Sequence, residues 1–132
     1  MTRPTWFRLN WFNMQKVNRA THTIDATGKA PGRLATEISR LLIGKHKADF
    51  TPNVDGGDAV DVVNAAKMTV TGKKMENKVY HHHTAHPGGL RSLELKKLWT
   101  QDPGDALRRA VSRMLPKNRH RNERMKRLTI KN

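Results

Sequence analysis

The chain has 132 residues, with 26 Lys and Arg against 11 Asp and Glu, for a formal net charge of +15. That length fits one domain with a modest core. The absence of cysteine excludes disulfides, thiolate zinc sites and cysteine nucleophiles, and no apolar run approaches the roughly 20 residues a membrane helix needs.

Met1 to Asn13 sets Trp6, Phe7, Trp11 and Phe12 beside Arg3 and Arg8. It lacks the apolar stretch and small-residue cleavage site of a secretory signal, and it is aromatic rather than Ser-rich as a transit peptide would be. Two readings stand: a flexible extension, or an ordered one whose rings stack on bases. Residues 1–16 are read as this extension, 17–117 as one α/β domain, and 118–132 as a basic arm ending in a short apolar segment.

His22 to Asp25 predicts a short strand, closed by a turn at Gly28. Pro31 fits the first turn of a helix, where its missing N–H costs nothing. Leu34, Ala35, Ile38, Leu41 and Leu42 recur at helical spacing, and Gly44 is a natural C-terminal stop. Lys45, His46 and Lys47 follow at the helix C-terminus. The helix dipole favours cations there; a phosphate-clamping loop is the functional reading of the same residues.

Asp55-Gly56-Gly57-Asp58 has turn chemistry. Ala59 to Asn64 is β-branched and predicts a strand; Met68 to Thr71 predicts a second, and Lys78 to His82 a third. Ser92 to Thr100 predicts a short helix with Leu95, Leu98 and Trp99 on one side. Asp102-Pro103-Gly104-Asp105 reads as an N-cap, a first-turn proline and a first-turn acid. Leu107, Ala110, Val111 and Met114 form the apolar stripe of the helix that follows, and Pro116 limits it. Asn118 to Arg127 is basic and helical only where docked, and Leu128 to Ile130 fits a terminal strand. Interleaved strands and helices argue an α/β fold.

From Ala106 to Asn132 ten Lys and Arg face one acid, Glu123, which gives this segment +9. Such crowding is repulsive within a folded domain and makes sense when a polyanion neutralises it; a phosphate backbone is the commonest such partner.

No catalytic set assembles. His82 and His86 have i,i+4 spacing, but Pro87-Gly88-Gly89 argues against a helix there and no Glu lies between them as a metalloprotease motif requires. The imidazoles read better as flat, partly cationic groups that stack on bases or bond phosphates beside Tyr80 and Lys78. Asp55, Asp58 and Asp61 could suggest a two-metal nuclease; turn and solvent-facing roles fit them better. Gly28 to Arg33 lacks P-loop spacing, although a phosphate at the following helix N-terminus and a plain tight turn remain equal readings.

Ile24-Asp25-Ala26-Thr27-Gly28-Lys29, Gly32-Arg33-Leu34-Ala35 and Gly44-Lys45-His46-Lys47 occur in order. Val63-Asn64-Ala65, Val70-Thr71-Gly72-Lys73, His82-His83-Thr84, Gly88-Gly89 and Met114-Leu115-Pro116-Lys117 follow. This ordered set resembles the large-subunit ribosomal protein family numbered thirteen, from about Val17 to Ile130. The chain departs from the family at Ala85, where Gly is usual, at Pro87, and at Asn118 to Asn122, where many members carry glycines. The resemblance implies a three-layer α/β/α domain around a four-stranded mixed sheet. It implies a structural constituent of the large subunit that binds the large (23S-type) rRNA, sits beside neighbouring ribosomal proteins and assists assembly. It implies no enzymatic activity, cofactor or small-molecule substrate.

The expected RNA contacts are therefore Lys45, His46 and Lys47; Lys73, Lys74, Lys78 and Tyr80; His82, His83 and His86; Arg108, Arg109, Arg113 and Lys117; and Arg119, Arg121, Arg124, Lys126 and Arg127. The expected location is the ribosome of the cytoplasm, with an organelle ribosome left open. Two rival classes are kept: a metal-dependent phosphoesterase on His82, His86 and Asp55, and an architectural DNA-binding protein.

Overall fold

The computed structural model describes residues 17–132; the aromatic N-terminal stretch lies outside the described residues. The elements run β1 (Thr21–Asp25), α1 (Pro31–Ile43), β2 (Ala59–Val63), a 3-10 turn (Ala65–Lys67), α2 (Lys74–Asn77), β3 (Val79–His83) and β4 (Leu90–Glu94). They continue with α3 (Leu95–Gln101), α4 (Pro103–Met114), α5 (His120–Lys126) and β5 (Leu128–Ile130).

The α/β class is as expected, but the strands divide differently. In place of one four-stranded mixed sheet there is a three-stranded parallel sheet, ordered β1-β2-β5, and a separate antiparallel hairpin of β3 and β4. In β2, Val60 and Val62 are fully buried while Ala59, Asp61 and Val63 are half-buried, the period-two alternation of a sheet with one packed face. Register places Ile24 beside Val62 and Leu128 beside Val60 on that face. Thr23, Asp25 and Thr129 point the other way and are exposed.

Helix α1 supplies most of the cover. Leu34, Ala35, Ile38 and Leu42 are fully buried, one stripe at helical spacing. It ends at Gly44, whose φ of 88° is left-handed and whose N–H reaches the carbonyls of Arg40 and Leu41, a glycine stop that satisfies two orphan acceptors. Helix α4 packs against α1 with Leu107 and Val111 fully buried. Its N-cap is as read: Asp102 Oδ1 accepts from the Gly104 N–H at 2.9 Å. The stripe differs from the expected one at its edges, since Ala106 is buried and Met114 is 43% exposed.

Two predicted elements are corrected. Met68 to Thr71 is not a strand. Met68 is buried, but Thr69 makes only isolated bonds, its N–H to Lys29 O (3.2 Å) and its hydroxyl to Gly28 O (2.9 Å), too few for a ladder. The helix expected from Ser92 begins at Leu95, because Ser92, Leu93 and Glu94 pair with His81, Tyr80 and Val79 in the hairpin. Leu95 and Leu98 then bury against Tyr80 and Ala106 as a second small core. Asn64 ends β2 at φ 59°, a left-handed geometry Asn tolerates, and its amide donates to Asp25 Oδ1 at 3.1 Å.

Candidate nucleic-acid interface

Two carboxylates decide which cations are free to meet a partner. The first is Asp58, 1% exposed at the entry to β2. Its Oδ1 accepts from the Ala20 N–H at 3.1 Å and pairs with the Lys47 ammonium. Its Oδ2 lies 2.9 Å from His22 Nε2 and 2.8 Å from His46 Nε2. Burial by itself would raise the Asp58 pKa. The hydrogen bonds from Lys47, His22, Ala20 and His46 outweigh it and hold the carboxyl well below the usual range. Lys47 also donates to the carbonyls of Asn18 (2.6 Å) and Gly56 (2.9 Å).

The second is Asp55. It accepts from Arg124 Nε at 2.9 Å and from both terminal nitrogens of Arg127, at 2.7 and 3.0 Å. Burial again pushes its pKa up, and the two guanidinium groups bring it below the ordinary value. Gly57 lies between these acids and must be glycine, since a Cβ there would fall 1.8 Å from Leu42 O.

The turn-and-solvent reading of Asp55 and Asp58 therefore fails, and four expected RNA contacts change character. Lys47, Arg124 and Arg127 turn inward onto these acids, Arg124 only 2% exposed, and His46 pairs with Asp58 while staying open to solvent. Among the described residues Lys45, which is exposed, has no such partner. The phosphoesterase constellation also fails, because both oxygens of Asp55 are taken by arginines.

A second group of cations gathers round Tyr80. Tyr80 is 7% exposed, so its ring does not offer a stacking face to a base. It carries three cations instead: Lys78 Nζ, Arg113 Cζ and Arg109 Cζ lie 5.2, 5.4 and 5.5 Å from the ring centroid. Arg109 is further tied to Asp105 at 2.9 Å. Beside this cluster runs a groove of about 890 Å³ between the N-terminus of α1, the turn before α2, the hairpin and α4. Lys29, Arg33, Lys74, Lys78 and Arg113 line it. The first turn of α1 contains no acid, so the positive end of the helix dipole adds to the potential there.

Lys29 and Arg33 were missed by sequence reasoning, although the signal was there: two cations flank a proline-started helix that carries no acid in its first turn. Among the described residues Lys29 has one weak partner, Glu37 at 4.0 Å. Outside the groove, Lys73, His82, His83, His86, Arg108, Lys117, Arg119 and Lys126 are exposed and Arg121 half-exposed. Lys126 pairs with Glu123 at 3.0 Å. Within the hairpin, His81 Nδ1 meets Ser92 Oγ at 2.9 Å, and His86 Nδ1 lies 2.9 Å from Pro87 O. Among the described residues no helix is long and apolar enough to cross a membrane.

A family signature described as ribosomal protein L13 matches residues 19–131. The chain belongs to the ribosomal protein L13 family. It is 55% identical over 104 residues to the large ribosomal subunit protein uL13 of Chloroflexus aggregans, covering 79% of this chain and 73% of that one. It is 48% identical over 116 residues to the uL13 of Thermotoga maritima, covering 88% and 78%. The uL13 of Legionella pneumophila strain Paris is 52% identical over 103 residues, covering 78% and 72%. As a member of this family the chain is a structural, non-catalytic constituent of the ribosome.

Proposed function

We propose that the chain is a structural protein of the large ribosomal subunit in the cytoplasm, that it binds the subunit's 23S-type rRNA beside neighbouring proteins, and that it assists the RNA to fold during assembly. The observation that carries this reading is the groove of Lys29, Arg33, Lys74, Lys78 and Arg113, whose cations outnumber the acid at its edge. Phosphates entering it displace counterions, which supplies much of the affinity. Lys73, Arg108, Lys117 and Arg119 are exposed as well and add to the charge a phosphate backbone can meet. The names of relatives at about half identity support the large subunit as the destination.

The test is binding of the purified protein to large-subunit rRNA fragments across a salt series, with duplex DNA as competitor, alongside sedimentation of the tagged protein from lysate. If about 6 phosphates are engaged, log K falls with log salt at a slope of about −4 to −5. rRNA should win over DNA, and the tagged protein should travel with large subunits. A flat salt response would overturn phosphate binding; preference for duplex DNA would favour an architectural DNA-binding role.

A further inference from the structure

His22 on β1 and His46 and Asp58, from the two ends of the segment that joins α1 to β2, converge on one point. Both imidazole Nε2 atoms lie within 2.9 Å of the same carboxylate oxygen, Asp58 Oδ2. The two rings stand nearly perpendicular with centroids 5.5 Å apart, and the three donor atoms all fall within 4.8 Å of one another.

We propose that His22, His46 and Asp58 form a binding site for one divalent transition-metal ion, Zn²⁺ in the first instance. Two imidazole nitrogens and one carboxylate oxygen are a ligand set zinc accepts. Neutralising Asp58 does not require the rings, because the Lys47 ammonium already sits on Oδ1; two imidazoles aimed at the single remaining oxygen are in excess of that need. The Ala20 N–H and Lys47 on Oδ1 fix the carboxylate from behind, the supporting contact that orients a metal ligand. The His22 and His46 side chains are 37% and 26% exposed, so an ion can enter from solvent and keep a water as its fourth ligand.

Coordination replaces two N–H···O hydrogen bonds by two nitrogen–metal bonds. Each neutral ring then carries its proton on Nδ1 and presents the Nε2 lone pair, with no change in oxidation state. Metal–ligand distances of about 2.0–2.2 Å at tetrahedral angles set ligand atoms about 3.4 Å apart, so the two Nε2–Oδ2 contacts open by about half an ångström. The nearby Lys47 opposes the ion and tempers its affinity. The bound ion would clip β1 to both ends of the segment joining α1 and β2.

The experiment uses full-length protein stripped with a chelator and titrated with Zn²⁺ alone, read by calorimetry and thermal unfolding. One equivalent should bind, and a hundredfold excess over the dissociation constant should raise Tm by roughly 10 °C. His22→Ala and His46→Ala should each weaken binding at least about tenfold, while the hairpin double variant H82A/H86A should bind as wild type. Should a variant fail to fold, imidazole nitrogen NMR of the wild-type protein decides the matter without one: zinc must shift the His22 and His46 Nε2 resonances. Unchanged affinity in H22A and H46A, or zinc shifts confined to His81, His82, His83 and His86, would overturn the proposal.

Discussion

Asp55 and Arg127 stand 72 positions apart in the chain and meet fork to fork, with two hydrogen bonds of 2.7 and 3.0 Å. Arg124 adds a third at 2.9 Å from a side chain only 3% exposed. Planar bidentate pairing of this kind is stronger and more directional than a point-charge contact. It fastens α5 and the entry to β5 onto the loop before β2, so part of the most basic segment of the chain is used as internal fastening.

Asp55→Ala would leave two guanidinium groups facing each other without their acid. Breaking a buried pair from one side costs about 3–5 kcal/mol, and the urea midpoint should fall accordingly. Arg124→Ala should lose a comparable amount. The double variant should lose clearly less than the sum, since the two residues share one interaction; strict additivity in that cycle would show that they do not.

Gly57→Ala should be among the most damaging single-methyl changes in the protein. The added Cβ meets backbone at 1.8 and 2.5 Å, at Leu42 O and C, and backbone cannot swing aside as a side-chain tip can. Poor soluble yield, or a large drop in Tm, is the expected result. By contrast Gly32→Ala meets nothing within 4 Å among the described residues and should leave Tm nearly unchanged or slightly raised.

Acid sensitivity follows from these two paired acids, Asp58 buried and Asp55 half-buried. Both have folded pKa values below their unfolded value of about 3.9. Their stabilising contribution is therefore complete above that value and declines as pH drops through the folded pKa values. Asp25, held at about 2 chiefly by the Thr27 hydroxyl and also by the Thr27 N–H and Asn64, acts in the same direction. The contribution of these carboxyls to the denaturant midpoint should stay level from about pH 7 to 5 and fall below about pH 4. Asp58→Asn should lower the neutral-pH midpoint and flatten that acid limb; an unchanged limb would contradict the assignment.

RNA affinity should separate the two kinds of cation. Reversing Lys74 and Arg113, which line the groove, should weaken rRNA binding and make the salt slope shallower by about one for each phosphate no longer neutralised, with little change in Tm. Reversing Arg119 and Arg121 tests the arm in the same way. Arg124 does not belong in that set: its reversal would place a negative charge against Asp55 and unfold the segment, so weakened binding there would report stability.

The N-cap of α4 offers a smaller, local check. Asp102 Oδ1 accepts from the Gly104 N–H and, at 3.3 Å, from the Asn132 amide. Asp102→Ala should cost about 1 kcal/mol, measured by thermal unfolding, with RNA binding retained.

Helix α1, helix α4, β1, β2 and the terminal strand were legible in the sequence because each rests on local signals: period, proline start, glycine stop and β-branching. Where the signal was not local, reading failed. Met68 is apolar and β-compatible, but nothing in its neighbours says that only isolated bonds await it. Ser92 to Glu94 read equally well as helix until Val79, Tyr80 and His81 arrive as partners.

Composition and order alone determined the α/β class, the family and the excess of positive charge, since these depend on which residues are present and on spacings of a few positions. Tertiary structure decided which of those charges are spent inside. Lys47 and Arg127 look as free as Lys45 and Arg119 when read along the chain; only folding brings Asp58 and Asp55 to the first pair and leaves the second pair facing water. An ion pair depends on distance in space, and pairings that span as many as 72 positions leave no periodic trace in the chain.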